Sequence, residues 1–449
     1  MIISSYGKKL VNKFNEVEKK NLTPKEFFID KCYLIFFGSE KPLMRIMNSP
    51  FNQDNPIAKK NRLTPEGREI ILNEFFTKIK EGKIDSCMFV GGYADGLTST
   101  TSFNLASDYN HIIDENEIFY SWIGYALSIY FNGINFLFDN ENILYDIYLG
   151  WQHYRDLISE DLYKEYKGKE ITKWNTHWLT NKYADVAHHQ KKFNPFSDTN
   201  SYDSKKNILK STSWVKLLFY ISTKYPNELI NTYAYRLDRT NETYGNVFIE
   251  LKKIEGFHNF CIEYFGKNEF LNSSAFYEKI YGTAYSMEKI CELGSIGMLA
   301  LKPELLRLEE YVHQNELNKK RINTLYKDAV ENESIYKFYN IYLMATLNMK
   351  DIEKDIIEIA KSLYNFDAVT RKNNKVLVEE LLSTKNLNGF LKVIDEMMEI
   401  CDAENLQDNA KILDKLMTLC MSDESKLSNV ILVIKFNFHK ISLNNKAIK

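Results

Sequence analysis

Hydrophobic residues recur at helical spacing over much of the chain, and most regularly in its C-terminal third. There, apolar side chains at i, i+3, i+4 and i+7 predict amphipathic helices that pack as a bundle. The four clearest segments are residues 351–366, 375–386, 389–404 and 406–421. Near the N-terminus, Thr23-Pro24 and Thr64-Pro65 each precede an apolar run, and this pair of residues is typical of an N-cap and a first helical position.

Between these helical parts the pattern changes toward alternation, which is typical of strands. Residues 87–92 and 98–105 alternate on either side of Asp95-Gly96, and residues 240–254 resemble a strand entered through a glycine turn. Residues 135–149 fit either a strand or the start of a helix. The predicted fold class is therefore α+β, with a mixed N-terminal and middle region and a mainly helical C-terminal bundle.

Three domains are predicted from these changes of pattern. Residues 1–86 form a helical lead-in, residues 87–270 a mixed α/β domain, and residues 271–449 the helical bundle. Within the middle domain lie an acidic aromatic segment, residues 87–150, and a basic loop, residues 182–210, inside a polar stretch that predicts a loop.

The glycine-rich stretch FVGGYADGLTSTTSF has the composition of a phosphate-binding or nucleophile loop. A Walker loop requires a lysine after its last glycine, but Gly96 is followed by Leu97 and Thr98. The GxSxG pattern of a nucleophile elbow is absent from the stretch. Asp95-Gly96 between alternating runs instead predicts a two-residue hairpin turn.

Residues 118–138 contain no charged side chain and are long enough for a membrane span. Asn132, Gly133 and Asn135 interrupt the run, and its flanks are acidic without Lys or Arg. The sequence therefore favours a buried helix that ends near Phe131, a turn at Asn132-Gly133, and a strand through Phe138. No membrane association is expected.

Charge is distributed unevenly, although the formal net charge is only −2. Residues 1–86 contain sixteen Lys/Arg and eleven Asp/Glu, whereas residues 87–150 contain eight acidic residues and no Lys or Arg. Residues 182–224 contain eight lysines and three aspartates. The acidic segment is interpreted either as a buried subdomain with a few acidic surface positions or as a docking face for a basic partner.

The six cysteines are scattered without a CxxC pair, as expected for reduced and buried thiols. The N-terminal sequence lacks the features of a signal peptide, so a cytoplasmic location is expected. His153 and His177 stand alone among aromatic residues, and His188-His189 are adjacent. This spacing predicts structural histidines and no metal site or cofactor.

The basic loop is the strongest candidate for a functional surface. Its lysines alternate with aromatic residues, and such a surface contacts phosphates through the cations and stacks on bases through the rings. Its asparagines have the chemistry to read base edges. Two arginines further along either extend this surface or pair with Asp238 and Glu242. The predicted nucleic-acid-binding residues are Lys182, Lys191, Lys192, Asn194, Tyr202, Lys205, Lys206, Lys210, Arg236 and Arg239.

A helical lead-in ends at Cys87-Met-Phe-Val-Gly91, an aromatic segment follows at residues 116–122, and a strand region and helical C-terminal third come after it. This order resembles the large subunit of type I CRISPR interference complexes (Cascade), in the small form that carries a zinc-ribbon-like insert. Val90 stands where that form has its second cysteine, and no later cysteine pair exists, so the resemblance implies that zinc is lost.

The resemblance implies a non-catalytic subunit that recognises the protospacer-adjacent motif in target double-stranded DNA and helps to recruit the helicase-nuclease. Guide RNA and the other effector-complex subunits would be its partners. Two other functions remain open for this sequence. Arg307 followed by His313 resembles the motif of HEPN ribonucleases, although the two side chains would lie about 120° apart on a helix. The third reading is a protein-interaction scaffold that docks through the acidic segment.

Overall fold

The computed structural model describes fourteen stretches of the chain. These are residues 2–39, 41–44, 51, 60–61, 64–81, 114–184, 193–237, 241–265, 280–281, 287–308, 316–347, 353–369, 372–421 and 427–447. The chain divides into two compact units, the first Met1–Glu255 with Ser286–Ala300 and the second Gly256–Tyr285 with Leu301–Lys449. Three predicted features lie outside the described residues, namely Asp95-Gly96, His188-His189 and Cys87.

The first unit combines helices with a curled sheet. Its described helices, which include one crossing into the second unit, are α1 Ile2–Glu18, α2 Pro24–Phe27, α3 Leu34–Phe37, α4 Pro65–Lys80, α5 Glu115–Ala126, α6 Glu141–Ile158, α7 Ile171–Tyr183, α8 Trp214–Lys224, α9 Leu251–Phe265 and α10 Met287–Glu292. Its strands are β1 Ile129–Phe131, β2 Ile134–Phe138, β3 Tyr202–Asp203, β4 Ile208–Leu209, β5 Leu229–Leu237, β6 Asn241–Glu250 and β7 Ser295–Ile296. A π-helical segment, Phe28–Tyr33, joins α2 to α3.

Two N-terminal helices begin at the predicted caps. The Thr23 hydroxyl accepts a hydrogen bond from the Glu26 amide at 3.2 Å, and the Glu26 carboxylate accepts one from the Thr23 amide at 2.8 Å. This reciprocal capping box satisfies two main-chain donors that the first turn leaves open. The Thr64 hydroxyl caps α4 in the same way, accepting from the Gly67 amide at 3.1 Å. Both predicted helix starts are confirmed.

The main sheet has five strands in the order β1-β2-β5-β6-β7. Neighbouring strands are antiparallel, except that β7 runs parallel to β6. Asn132 and Gly133 form the predicted turn between β1 and β2, with φ angles of 42° and 98° that suit a two-residue hairpin turn. Gly245 does not precede a strand as predicted but lies within β6, at a bulge where its φ of 84° favours glycine.

The uncharged run at residues 118–138 only partly follows its prediction. The predicted helix ends at Ala126 and not near Phe131, because Ile129–Phe131 pairs with Ile134–Phe138 as strand β1. Hydrophobicity alone does not distinguish a buried helix from a buried strand, and the pairing decides it. The described part of the chain contains no helix with the length and apolar character needed to cross a bilayer.

Helices α1 and α5 pack through glycines at an unusually close crossing. A Cβ atom placed on Gly7 would lie 2.1 Å from the main-chain oxygen of Tyr120, and one on Gly124 would lie 2.0 Å from that of Ile3. Any larger side chain would force the two helices apart. Beside this crossing, Phe28, Trp122 and other fully buried aromatic rings form the core.

Helix α7 covers the outer edge of strand β1. The Thr176 hydroxyl accepts from the Tyr130 amide at 3.0 Å and lies 3.1 Å from the Tyr130 carbonyl oxygen. The Asn175 amide donates to the carbonyl oxygens of Ala126 and Ser128 at 2.6 and 2.8 Å. Because these side chains occupy the main-chain groups of an edge strand, β1 is protected from pairing with another chain.

The second unit is helical over its described residues. After the part of α9 that belongs to it, its helices are α11 Glu304–Leu308, α12 Glu316–Glu331, α13 Glu333–Leu347, α14 Glu353–Val369, α15 Lys372–Leu381, α16 Leu387–Ala403, α17 Gln407–Met421 and α18 Leu427–Ala447. The four predicted amphipathic segments correspond to α14 through α17, so the α+β fold class with a helical C-terminal part is confirmed. The predicted division into three domains stays a prediction.

Candidate nucleic-acid interface

The described part of the basic loop, residues 182–184 and 193–210, is more ordered than its composition predicted. Residues 180–183 are the last turn of α7, and Tyr202–Asp203 pairs antiparallel with Ile208–Leu209 as a short hairpin. At the tip, one Asp203 carboxylate oxygen accepts hydrogen bonds from the amides of Lys205 and Lys206 at 3.0 and 3.1 Å. Asn207 closes the turn with a φ of 53°. We refer to residues 193–212 as the lysine hairpin.

Glu170, just before α7, fixes the second strand of the lysine hairpin. One of its carboxylate oxygens accepts from the Leu209 amide at 2.8 Å and from the Tyr166 hydroxyl at 3.0 Å. Its other oxygen pairs with Lys173 at 2.6 Å, and the same ammonium donates to the Leu209 carbonyl at 2.9 Å. Both main-chain groups of Leu209 are therefore held by charged side chains, which form stronger hydrogen bonds than neutral ones.

Two histidines hold the ends of the lysine hairpin. His177 places Nε2 at 2.8 Å from the Lys210 carbonyl and Nδ1 at 2.9 Å from the Thr212 hydroxyl. A carbonyl only accepts, so Nε2 carries the proton and Nδ1 accepts from Thr212. Burial lowers the pKa of His177 to about 4, although the bond to Lys210 opposes the shift. At the other end, His153 Nε2 lies 2.7 Å from the Phe193 carbonyl, so the structural interpretation of both histidines is confirmed.

Three predicted lysines are exposed on this hairpin. Lys205 and Lys206 lie at its tip, and Lys210 follows its second strand and donates to the Thr199 carbonyl at 2.8 Å. Within the described part of the chain, none of the three ammonium groups forms an ion pair with a carboxylate. The Asp203 carboxylate interacts electrostatically with Lys206 and Lys210, and the main-chain amide of Lys206 is the largest cause that lowers its pKa below its usual range.

Two other predicted cations are paired inside the protein. Lys182 lies 2.9 Å from an Asp146 carboxylate oxygen, and less than a fifth of either side chain is exposed. Arg236, on β5, pairs with Glu242 at 3.0 Å and with Glu288. The pairing with Glu242 is one of the two roles that the sequence suggested. A phosphate contact by Lys182 or Arg236 stays a prediction that would require these ion pairs to break.

The aromatic rings of the lysine hairpin form its small core. Phe196 is 7 % exposed and contacts Tyr163, Tyr166 and Tyr202 with ring centroids 4.8 to 5.3 Å apart. Phe193 packs near the rings of two tryptophans and His153. These contacts stabilise the hairpin against helices α6 and α7, and the expected stacking of the rings on bases stays a prediction.

The predicted asparagine and tyrosine readers also have internal partners. Asn194 accepts from the Phe196 amide at 3.0 Å, which caps a 3₁₀ turn, and donates to the Tyr163 hydroxyl at 2.7 Å. Tyr202 donates to the Asn207 amide oxygen at 2.8 Å. These side chains fix the hairpin's shape, and base reading by Asn194 or Tyr202 stays a prediction. Lys191, Lys192 and Arg239 lie outside the described residues.

The anchors of the hairpin were missed by sequence reasoning. Glu170, Lys173 and His177 share one side of the start of α7, since spacings of three and four residues bring side chains together on a helix. That spacing was the available signal, but a polar face on a short helix usually indicates solvent exposure. Only the fold shows that this face meets the hairpin.

The acidic segment is partly paired with cations of the first unit where it is described. Asp139 pairs with Lys9 of α1, and Glu115 lies 3.5 Å from Lys25. The Ser4 hydroxyl donates to Glu117. The basic N-terminal residues and the acidic segment thus contact one another directly, which supports the interpretation of this segment as a packed subdomain.

The described residues offer no assembled catalytic set. Arg307 is 8 % exposed, and its predicted partner His313 lies outside the described residues. No cluster of three or more His, Cys, Asp or Glu side chains with the geometry of a metal site occurs in the described stretches. Comparisons with protein-family models, with curated proteins and with solved structures find no match to this chain.

Proposed function

We propose that this chain is a non-catalytic nucleic-acid-binding protein whose lysine hairpin carries a phosphate contact. One observation supports this most directly. Lys205, Lys206 and Lys210 are exposed and free of carboxylate ion pairs within the described residues, on a hairpin that Glu170 and His177 hold in place.

The anchoring matters because binding loses affinity whenever a loop must be ordered at the same time. Here Glu170 and two residues of α7 hold the main chain at Leu209 and Lys210, and Asp203 holds the amides of Lys205 and Lys206, so binding orders mainly the lysine side chains. Phosphate neutralisation releases counterions, and this term supplies most of the affinity for a polyanion.

The test is the salt dependence of binding. The triple variant K205A/K206A/K210A should bind labelled duplex DNA more weakly than the wild type, and its plot of log affinity against log salt should be shallower. Each lost phosphate contact removes about 0.9 from the slope on duplex DNA, so a decrease of about 2 to 3 is expected. Fluorescence anisotropy over a salt series measures it.

A matched control removes the same charge elsewhere. Lys375, Lys392 and Lys411 are exposed on helices of the second unit, with 67, 74 and 76 % of their side chains accessible. The variant K375A/K392A/K411A should retain the wild-type slope. Equal slopes for the hairpin variant and the wild type would refute the proposed contact.

The wider role follows only from the sequence resemblance. We propose it as membership of a cytoplasmic Cascade-type complex, with guide RNA, target double-stranded DNA, other effector subunits and a helicase-nuclease as partners, and with recognition of the protospacer-adjacent motif. Purification of the tagged chain from its native host tests this. Nuclease-sensitive material and a backbone subunit should accompany it, and recovery of the chain without nucleic acid would contradict the role.

A further inference from the structure

We infer that the lysine hairpin binds the sugar–phosphate backbone alone and neither stacks on bases nor reads their edges. This inference rests on the proposed function and specifies the chemistry of its ligand. The ligand class is a phosphodiester chain of any sequence, and the hairpin acts as a positioning contact.

Stacking requires a ring face that a base can reach. Phe196 is buried, and its neighbours Tyr163 and Tyr202 contact it through their own rings. Tyr202 is also held by its bond to Asn207. Phe193 contacts Trp174 and Trp178, with ring centroids 5.4 and 6.0 Å apart. Each aromatic residue of the hairpin is thus engaged with other rings of the first unit.

Base-edge reading requires a side chain with paired donors or acceptors, most often Arg for guanine and Asn or Gln for adenine. Residues 182–224 contain no arginine. Asn194 uses both ends of its amide within the protein, and the amide oxygen of Asn207 accepts from Tyr202. Asn200 is the asparagine of this hairpin whose side chain remains exposed.

Lysine is suited to contacting the phosphate groups of the backbone. Its ammonium is a compact charge on a flexible stem, which contacts phosphate without the planar geometry that gives arginine its base specificity. Three such cations on one hairpin would attract a nucleic-acid backbone, whichever bases it carries.

The experiment compares two strands of equal length, a thymidine oligonucleotide and an abasic phosphodiester chain. For each, the dissociation constant of K205A/K206A/K210A is divided by that of the wild type, which isolates the contribution of the hairpin. We expect the two ratios to agree within about twofold, since a stacked base would add roughly 5- to 150-fold. The variant N200A should bind the thymidine strand within about twofold of the wild type.

Failure of this inference and failure of the proposed function give different results in this experiment. A ratio at least about fivefold larger on the thymidine strand than on the abasic strand would show that the hairpin contacts bases, and would overturn this inference while the proposed function stands. A similar loss in N200A on the thymidine strand alone would do the same and would identify Asn200 as a reader. Ratios of one on both strands would refute the proposed function and this inference together.

Discussion

Replacing Arg155 with alanine should remove a structural clamp from the first unit. Arg155 is on α6 and is 9 % exposed. Its guanidinium donates to the Ile35 carbonyl at 2.7 Å, the Ser39 hydroxyl at 2.7 Å, the Lys41 carbonyl at 2.9 Å and the Phe36 carbonyl at 3.3 Å. These acceptors lie at the end of α3 and just beyond it, where main-chain carbonyls have no helical partner.

The loss of stability expected for R155A follows from the number and type of these hydrogen bonds. A hydrogen bond from a charged donor contributes about 1.5–3 kcal/mol, and three of the four are shorter than 3.0 Å. They share one guanidinium, and burial of its charge offsets part of the gain, as the lowered pKa of about 10 for Arg155 indicates. We therefore expect R155A to lower the free energy of unfolding by about 3–5 kcal/mol.

Intrinsic fluorescence isolates the first unit, because every tryptophan of the chain belongs to it. These are Trp122, Trp151, Trp174, Trp178 and Trp214. Urea unfolding followed by this signal should show the loss for R155A and a smaller one for R155K, which keeps the charge but not the fork of donors. The control K164A changes an exposed cation and should stay within about 0.5 kcal/mol. A loss below about 1 kcal/mol for R155A would refute the reasoning.

Three further predictions concern the anchors and the packing. E170A should leave the buried Leu209 amide without its acceptor and raise the hydrogen-exchange rate of that amide. Unchanged protection of the amide would contradict the role of Glu170 as an anchor of the hairpin. The pKa of His177 is about 4 in the folded protein and 6.5 without burial, so the unfolded state binds the proton first as pH falls. Titration of His177 should lower the stability of the first unit by up to about 3 kcal/mol between about pH 6.5 and pH 4, and urea titrations should show a flatter profile for H177Q over this range. G7A should lower stability by about 2–3 kcal/mol in the same assay, because its Cβ would overlap the Tyr120 carbonyl; an unchanged midpoint would show that the helices adjust freely.

Local signals in the sequence were sufficient for many of the helices. The Thr23 and Thr64 caps, and the apolar spacing of α14 through α17, depend only on residues within one or two turns. The Asn132-Gly133 turn was predictable for the same reason, since positive φ angles favour these residue types. These elements required no knowledge of distant contacts.

Elements that depend on distant partners were not predictable from the pattern. Strand β1 exists because Ile129–Phe131 pairs with β2 and because Thr176, 46 positions from Tyr130, satisfies its outer edge. The Gly7 crossing likewise depends on a helix more than a hundred residues away. A hydrophobic pattern predicts that such residues are buried, but it does not identify the residues against which they pack.

The lysine hairpin illustrates the same limit for a functional surface. Alternating lysines and rings predict a binding surface equally well whether the rings face solvent or pack inward. The fold distinguishes these two arrangements of the rings. Phe196 and Tyr202 pack against residues of the segment that joins α6 to α7, while Lys205 and Lys206 remain exposed. Composition identified the cations, and only tertiary contacts assigned the rings.

The distribution of charge gives the hairpin lysines their importance. The acidic segment and the basic N-terminus carry large opposite charges in the sequence, but Lys9 with Asp139 and Lys25 with Glu115 bring them into contact. Paired charges cancel beyond a Debye length of about 8–10 Å, so these pairs contribute little field at the range where a polyanion approaches. Lys205 and Lys206 form no ion pair within the described residues, although the Asp203 carboxylate at the same hairpin tip interacts with Lys206 and Lys210 and offsets part of their field. A surface that attracts nucleic acid is therefore set by the cations that folding leaves unpaired, and not by the net charge of a segment.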